Sequence, residues 1–140
     1  MKILFLSLIT TGLLMSACNQ SNQTNGSATA AATGTAANAP VMKFEKETID
    51  FGKIKTGDKV SYDYKFTNNG KIPLIITDAI ATCGCTKPEW PHTPINPGAS
   101  GAIHVTFNSA AKKGLQDKQI TITGNTVPAQ SRVHLIGEVL

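Results

Sequence analysis

Two cysteines separated by one glycine, Cys83-Gly84-Cys85, are where this chain concentrates reactive chemistry. On a regular strand, residues two apart share a face with Cβ atoms roughly 6–7 Å apart, whereas a disulfide needs about 3.8 Å. Gly84 lets the backbone fold tightly enough to close that gap. Three states are open at this stage. An internal disulfide would close a very small, strained ring, and strain of that kind makes a bond easier to reduce. Two thiolates would hold a soft ion, Cu(I) or Zn²⁺, with His92 or His104 as third ligand. Or both thiols stay reduced and buried as small apolar side chains. The two-residue spacing is less typical of structural zinc than Cys-x-x-Cys, and no second cysteine pair completes a site, so no cofactor is expected and copper or zinc is the alternative. Redox exchange would need a thiolate favoured by nearby cations, and the nearest in sequence are Lys87 and a protonated His92.

The other candidates are blander. His104 and His134 fall on polar faces of alternating segments and read as solvated. Trp90, flanked by Pro88, Pro91 and Pro94, reads as covering one end of the fold; with Thr86 and Pro94 it would otherwise present a contact surface for a partner. Asp50, Asp63, Asp78 and Asp117 show no paired spacing for acid–base work. No glycine-rich phosphate loop and no nucleophile elbow is present. The expectation is therefore a protein that is not an enzyme.

The third cysteine belongs to a different part of the chain. All nine acidic residues and twelve of the thirteen Lys and Arg lie from Lys43 onward. Ahead of them, Lys2 supplies a positive start, Ile3 to Leu14 form an apolar run too short to span a bilayer, and Ser16-Ala17 are small residues before a cleavage point. Leu13-Leu14-Met15-Ser16-Ala17-Cys18 resembles the lipobox of bacterial lipoproteins, with Met15 where leucine is usual. The resemblance implies acylation of Cys18 and cleavage just before it, and two or three acyl chains suffice for stable anchoring. Residues 1–18 thus read as a lipoprotein signal peptide ending at the lipidation cysteine. Residues 19–41, which carry no charge and no aromatic side chain, read as a flexible linker with a reach of about 25 Å.

Residues 42–140 read as one all-β domain. With 140 residues, 41% of them apolar, the chain is too short for a multi-domain enzyme. Val60, Tyr62, Tyr64 and Phe66 alternate with polar residues; so do Ile103, Val105 and Phe107, then Ile120 and Ile122, then Val133 and Leu135. Asn69-Gly70 reads as a hairpin turn, and Pro97-Gly98 suits a type II turn. Several short strands at this spacing predict an immunoglobulin-like β-sandwich of about seven strands, without the Cys-Trp-Cys pin of antibody domains.

The ordered series Ile49-Asp50-Phe51-Gly52-Lys53-Ile54, Tyr64-Lys65-Phe66-Thr67-Asn68-Asn69-Gly70, Cys83-Gly84-Cys85-Thr86, Pro94-Ile95-Asn96-Pro97-Gly98 and Leu135-Ile136-Gly137-Glu138-Val139 resembles the bacterial family catalogued as domain of unknown function 1573. Such proteins are similar to the immunoglobulin-like modules of major sperm protein and hydin-type scaffolds. The resemblance implies an envelope β-sandwich with no assigned reaction.

The formal charge of +4 comes from singly scattered residues, with Lys112-Lys113 the one adjacent basic pair, which is not the stripe of a nucleic-acid binder. The expected function is a membrane-anchored binding or scaffolding module of the cell envelope, facing the periplasm from the outer membrane. Its expected partners are the lipid bilayer through acylated Cys18 and an envelope protein met by the segment from Thr82 to Pro97. The competing reading is periplasmic thiol-redox or copper handling by Cys83 and Cys85.

Overall fold

The computed structural model describes residues 38–140. The signal peptide, Cys18 and nearly all of the expected linker lie outside the described residues.

Eight strands form: β1 Met42–Phe44, β2 Thr48–Ile54, β3 Lys59–Asn68, β4 Ile76–Ala81, β5 Thr86–Glu89, β6 Ser100–Asn108, β7 Gly114–Gly124 and β8 Gln130–Val139. One sheet runs β1-β3-β6-β5 and the other β2-β8-β7-β4. The four alternating segments of the sequence are β3, β6, β7 and β8, the central strands of the two sheets. Their apolar positions face inward: Tyr64, Phe66, Ile103, Val105, Phe107, Ile120, Ile122, Val133 and Leu135 are at most 1% exposed. Burying side chains of this size contributes about 1.5–3 kcal/mol each, which makes the alternation a strong determinant of register.

The first edge of the sandwich is split between sheets. β1 pairs antiparallel with β3, and the chain then crosses so that β2 pairs parallel with β8. The β2 register shifts between Asp50 and Lys53, where Gly52 has a φ of 73° and its N–H donates to Asp50 Oδ1 at 2.7 Å.

Two turn expectations part company. Pro97-Gly98 forms the expected turn, with Gly98 at φ 77° and the Ala99 N–H donating to the Asn96 C=O at 3.0 Å. Asn69-Gly70 does not make a hairpin: β3 and β4 lie in different sheets, so the chain turns a corner there. What holds the corner is the fully buried Asn68. Its Oδ1 accepts from the N–H groups of Val41 (3.3 Å) and Gly70 (2.9 Å), and its amide donates to the carbonyls of Ile72 (2.9 Å) and Ile95 (3.0 Å). Gly70 is required because the backbone of Ala39, Pro40 and Val41 occupies the place of a Cβ. Ala39 and Pro40, expected to be linker, are buried against the sandwich.

Candidate functional site

The Cys83-Gly84-Cys85 turn carries the chain from β4, at the edge of one sheet, to β5, at the edge of the other. The Thr82 N–H still donates to Gln119 C=O of β7 at 3.1 Å, and the Cys85 C=O already accepts from Asn108 N–H of β6 at 2.9 Å. Within this short crossing the two cysteines are joined by a disulfide, with Cα atoms 5.2 Å apart. Thr86 closes the turn: its N–H donates to Cys83 C=O at 3.1 Å, and its hydroxyl lies 3.5 Å from Cys83 Sγ and 3.9 Å from Cys85 Sγ.

With both sulfurs bonded to each other, neither is a thiolate for a metal. His92 packs on Trp90 instead, ring centres 5.3 Å apart, and among the described residues no three His, Cys, Asp or Glu side chains are grouped as metal ligands. Trp90 packs against the hydrophobic core, and its buried indole N–H has no acceptor among the described residues. Thr86, expected at a contact surface, is only 4% exposed; it pairs with Phe107 and its side chain faces the core. Pro94 is exposed. The three expected contact residues therefore do not make one surface.

The segment from Thr82 to Pro97 is also more ordered than a loop, because it contains β5. The Cys85–Asn108 hydrogen bond fixes the alternation of the β5–β6 ladder, so Lys87 pairs toward β6 while Thr86 and Pro88 turn their backbone groups to the free edge. Pro88 has no N–H, and that of Thr86 is used by Cys83. This edge offers no free donor, which closes it to strand addition.

The outer face beside it is different. A depression of about 400 Å³ lies over β3, β6 and β5, lined by Lys59, Lys87 and Glu89, by Thr106 and Asn108, and by the Gly84-Cys85 turn. The register builds it: Lys59 stands opposite Asn108, and Thr106 stands between Ser61 and Lys87. Thr106 and Ser61 share a hydrogen bond of 2.8 Å, and Asn108 Oδ1 accepts the Ala110 N–H at 3.0 Å. Nothing lies within 4 Å of where a Gly84 Cβ would project, so that wall is open. Neither Lys59 nor Lys87 is in an ion pair among the described residues. The sequence showed these positions only as the wet side of strands, since cross-strand register is not written in any one segment.

Two histidines have acquired partners. His104 Nδ1 is 2.6 Å from Asp63 Oδ1, directly across the β3–β6 ladder, and His134 Nδ1 is 2.9 Å from Asp117 Oδ1. Both pairs are open to solvent on outer faces, as expected of solvated residues. Deeper in, the Tyr64 hydroxyl donates to His134 C=O at 2.8 Å, and burial, with the charge of Asp117 adding to it, pushes its phenol well above the ordinary value. Lys118, with Nζ 5.6 Å from the centre of the Phe107 ring, is lowered by burial first and by Lys112 second, against an opposing effect of Asp117.

Comparison with known proteins fits this architecture. The chain is similar to a protein of unknown function from Porphyromonas gingivalis W83 (20% identity, TM-score 0.64, covering 74% of this chain and 49% of that one). It is also similar to the ASH/PapD-like domain 7 of human CEP192 (9% identity, TM-score 0.58, 84% and 98% covered) and to the YadV chaperone (13% identity, TM-score 0.51, 70% and 51% covered). The chain thus spans about half of the Porphyromonas protein, and these likenesses show the fold, an immunoglobulin-like, PapD-like sandwich. No curated protein matches the chain. Residues 42–139 match a family described as "Protein of unknown function (DUF1573)", and the chain belongs to that family.

Proposed function

We propose that this protein is a lipid-anchored module of the cell envelope that binds or scaffolds and catalyses nothing itself. Acylated Cys18 holds it to the bilayer, facing the periplasm from the outer membrane. The polar segment from Asn19 onward gives the sandwich a reach of about 25 Å, and the partner is an envelope component. The lipobox-like sequence ending at Cys18 supports the anchor. The binding half rests on one observation: the concave, lysine-flanked outer face of β3, β6 and β5, framed by the disulfide turn. The fold is shared with a chaperone and with a PapD-like domain, which fits a body that works by contact.

The experiment that tests the anchor is metabolic labelling with radioactive palmitate followed by fractionation. The parent chain should take up label and sediment with membranes, and Cys18→Ser should do neither. Label on Cys18→Ser, or a parent chain found in the soluble fraction, overturns the anchored reading.

A further inference from the structure

The depression beside the disulfide has a chemistry that narrows its ligand. Lys59 on β3 and Lys87 on β5 flank β6, two strand spacings across and two residues along, or about 12 Å apart at the backbone. Between them lie the Asn108 amide and the Thr106 hydroxyl, and the Glu89 carboxylate lines the same depression. The surroundings add positive charge. The Ser109 hydroxyl donates to the carbonyls of Lys55 and Asp58, and the Lys112 N–H donates to Ser109, which locks the turns carrying Lys55, Lys112 and Lys113 together at this end of the sandwich. Asp58 is the acid among them, its carboxylate accepting the Lys55 N–H at 2.8 Å.

We propose that this depression binds an acidic saccharide of one or two rings. Lys59 and Lys87 hold its carboxylate groups. Asn108, Thr106 and Glu89 exchange hydrogen bonds with its hydroxyls, and the Cys85 sulfur meets an apolar ring face. A bare phosphate would leave the neutral groups and Glu89 unused. An extended peptide would find no backbone donor on the free edge of β5. The volume of about 400 Å³ lies within the range of small-ligand sites. This inference rests on the binding reading above and adds a ligand class to it.

The test is calorimetric titration of the purified full chain with digalacturonate, with its methyl ester, in which the same rings carry no charge, and with inorganic phosphate. Saturable binding of digalacturonate is expected, with the ester weaker by about tenfold or more and phosphate failing to compete. Lys59→Gln with Lys87→Gln should cost a similar factor without shifting the thermal midpoint, while Lys71→Gln binds like the parent. No binding of digalacturonate, equal binding of the ester, equal competition by phosphate, or indifference to the lysine pair each overturns the proposal. Photo-crosslinks formed in cells from position 87 despite such a result would leave the binding reading standing and remove only the saccharide.

Discussion

Asn68 shows how one side chain can organise a corner. It sits at 0% exposure with its oxygen and its amide both satisfied, so truncation removes the partner of two N–H groups and two carbonyls, the Ile95 carbonyl among them buried. Asn68→Ala should destabilise the fold by about 2–4 kcal/mol, read from the urea midpoint, a cost of the size seen when a buried hydrogen-bond network is broken. The sequence points to the neighbouring Asn69-Gly70 as a hairpin and says nothing of Asn68, because the dipeptide signal is local and the residues that Asn68 serves, Val41 and Ile95, are each 27 positions away. Tyr64 is the second informative residue. Its phenol is raised by burial, so the folded state keeps the proton more tightly than the unfolded state. That contribution is fully present below the ordinary phenol value of about 10. It is lost as pH rises past that value, by up to about 1.4 kcal/mol per pH unit. Denaturation at pH steps above 10 should show this decline in the parent and a shallower one in Tyr64→Phe, and parallel declines would contradict it.

At the scale of elements, the strands that announced themselves were those with one buried face. β3, β6, β7 and β8 each alternate because one side packs on the core while the other meets water. The edge strands carried weaker signals. β5 contains a proline, which demotes a segment in any sequence reading, yet an edge is where a strand tolerates it. β1 is only three residues long, and the parallel pairing of β2 with β8 depends on a partner more than eighty positions later. The disulfide acts on this same edge. It closes a ring of three residues, so in the chain-entropy view it contributes only about 1–2 kcal/mol. Cys83→Ala with Cys85→Ala should therefore fold with a thermal midpoint lowered by roughly 4–16 °C, the shift that a loss of this size makes in a domain of about 100 residues, measured by scanning calorimetry. Failure to fold would show that the turn does more than restrain the crossing from β4 to β5.

For the whole molecule, the fold class was legible from strand spacing and turn chemistry, and the site was legible in part. The Cys-Gly-Cys motif marks the crossing where the disulfide forms. The lysines, the threonine and the asparagine that share the place with it come from three strands, and only register brings them together. Trp90 packs against the core, in keeping with the reading that it covers one end of the fold, whereas Thr86, the alternative contact residue beside it, is buried. If the molecule works by contact through the β3-β6-β5 face, then a photo-crosslinking residue placed at Lys87 in the full chain, in living cells, should form discrete adducts. The same residue at Arg132, exposed on the opposite sheet, should form none. Adducts from Arg132 alone, or equally from both positions, would contradict the assignment of the binding face.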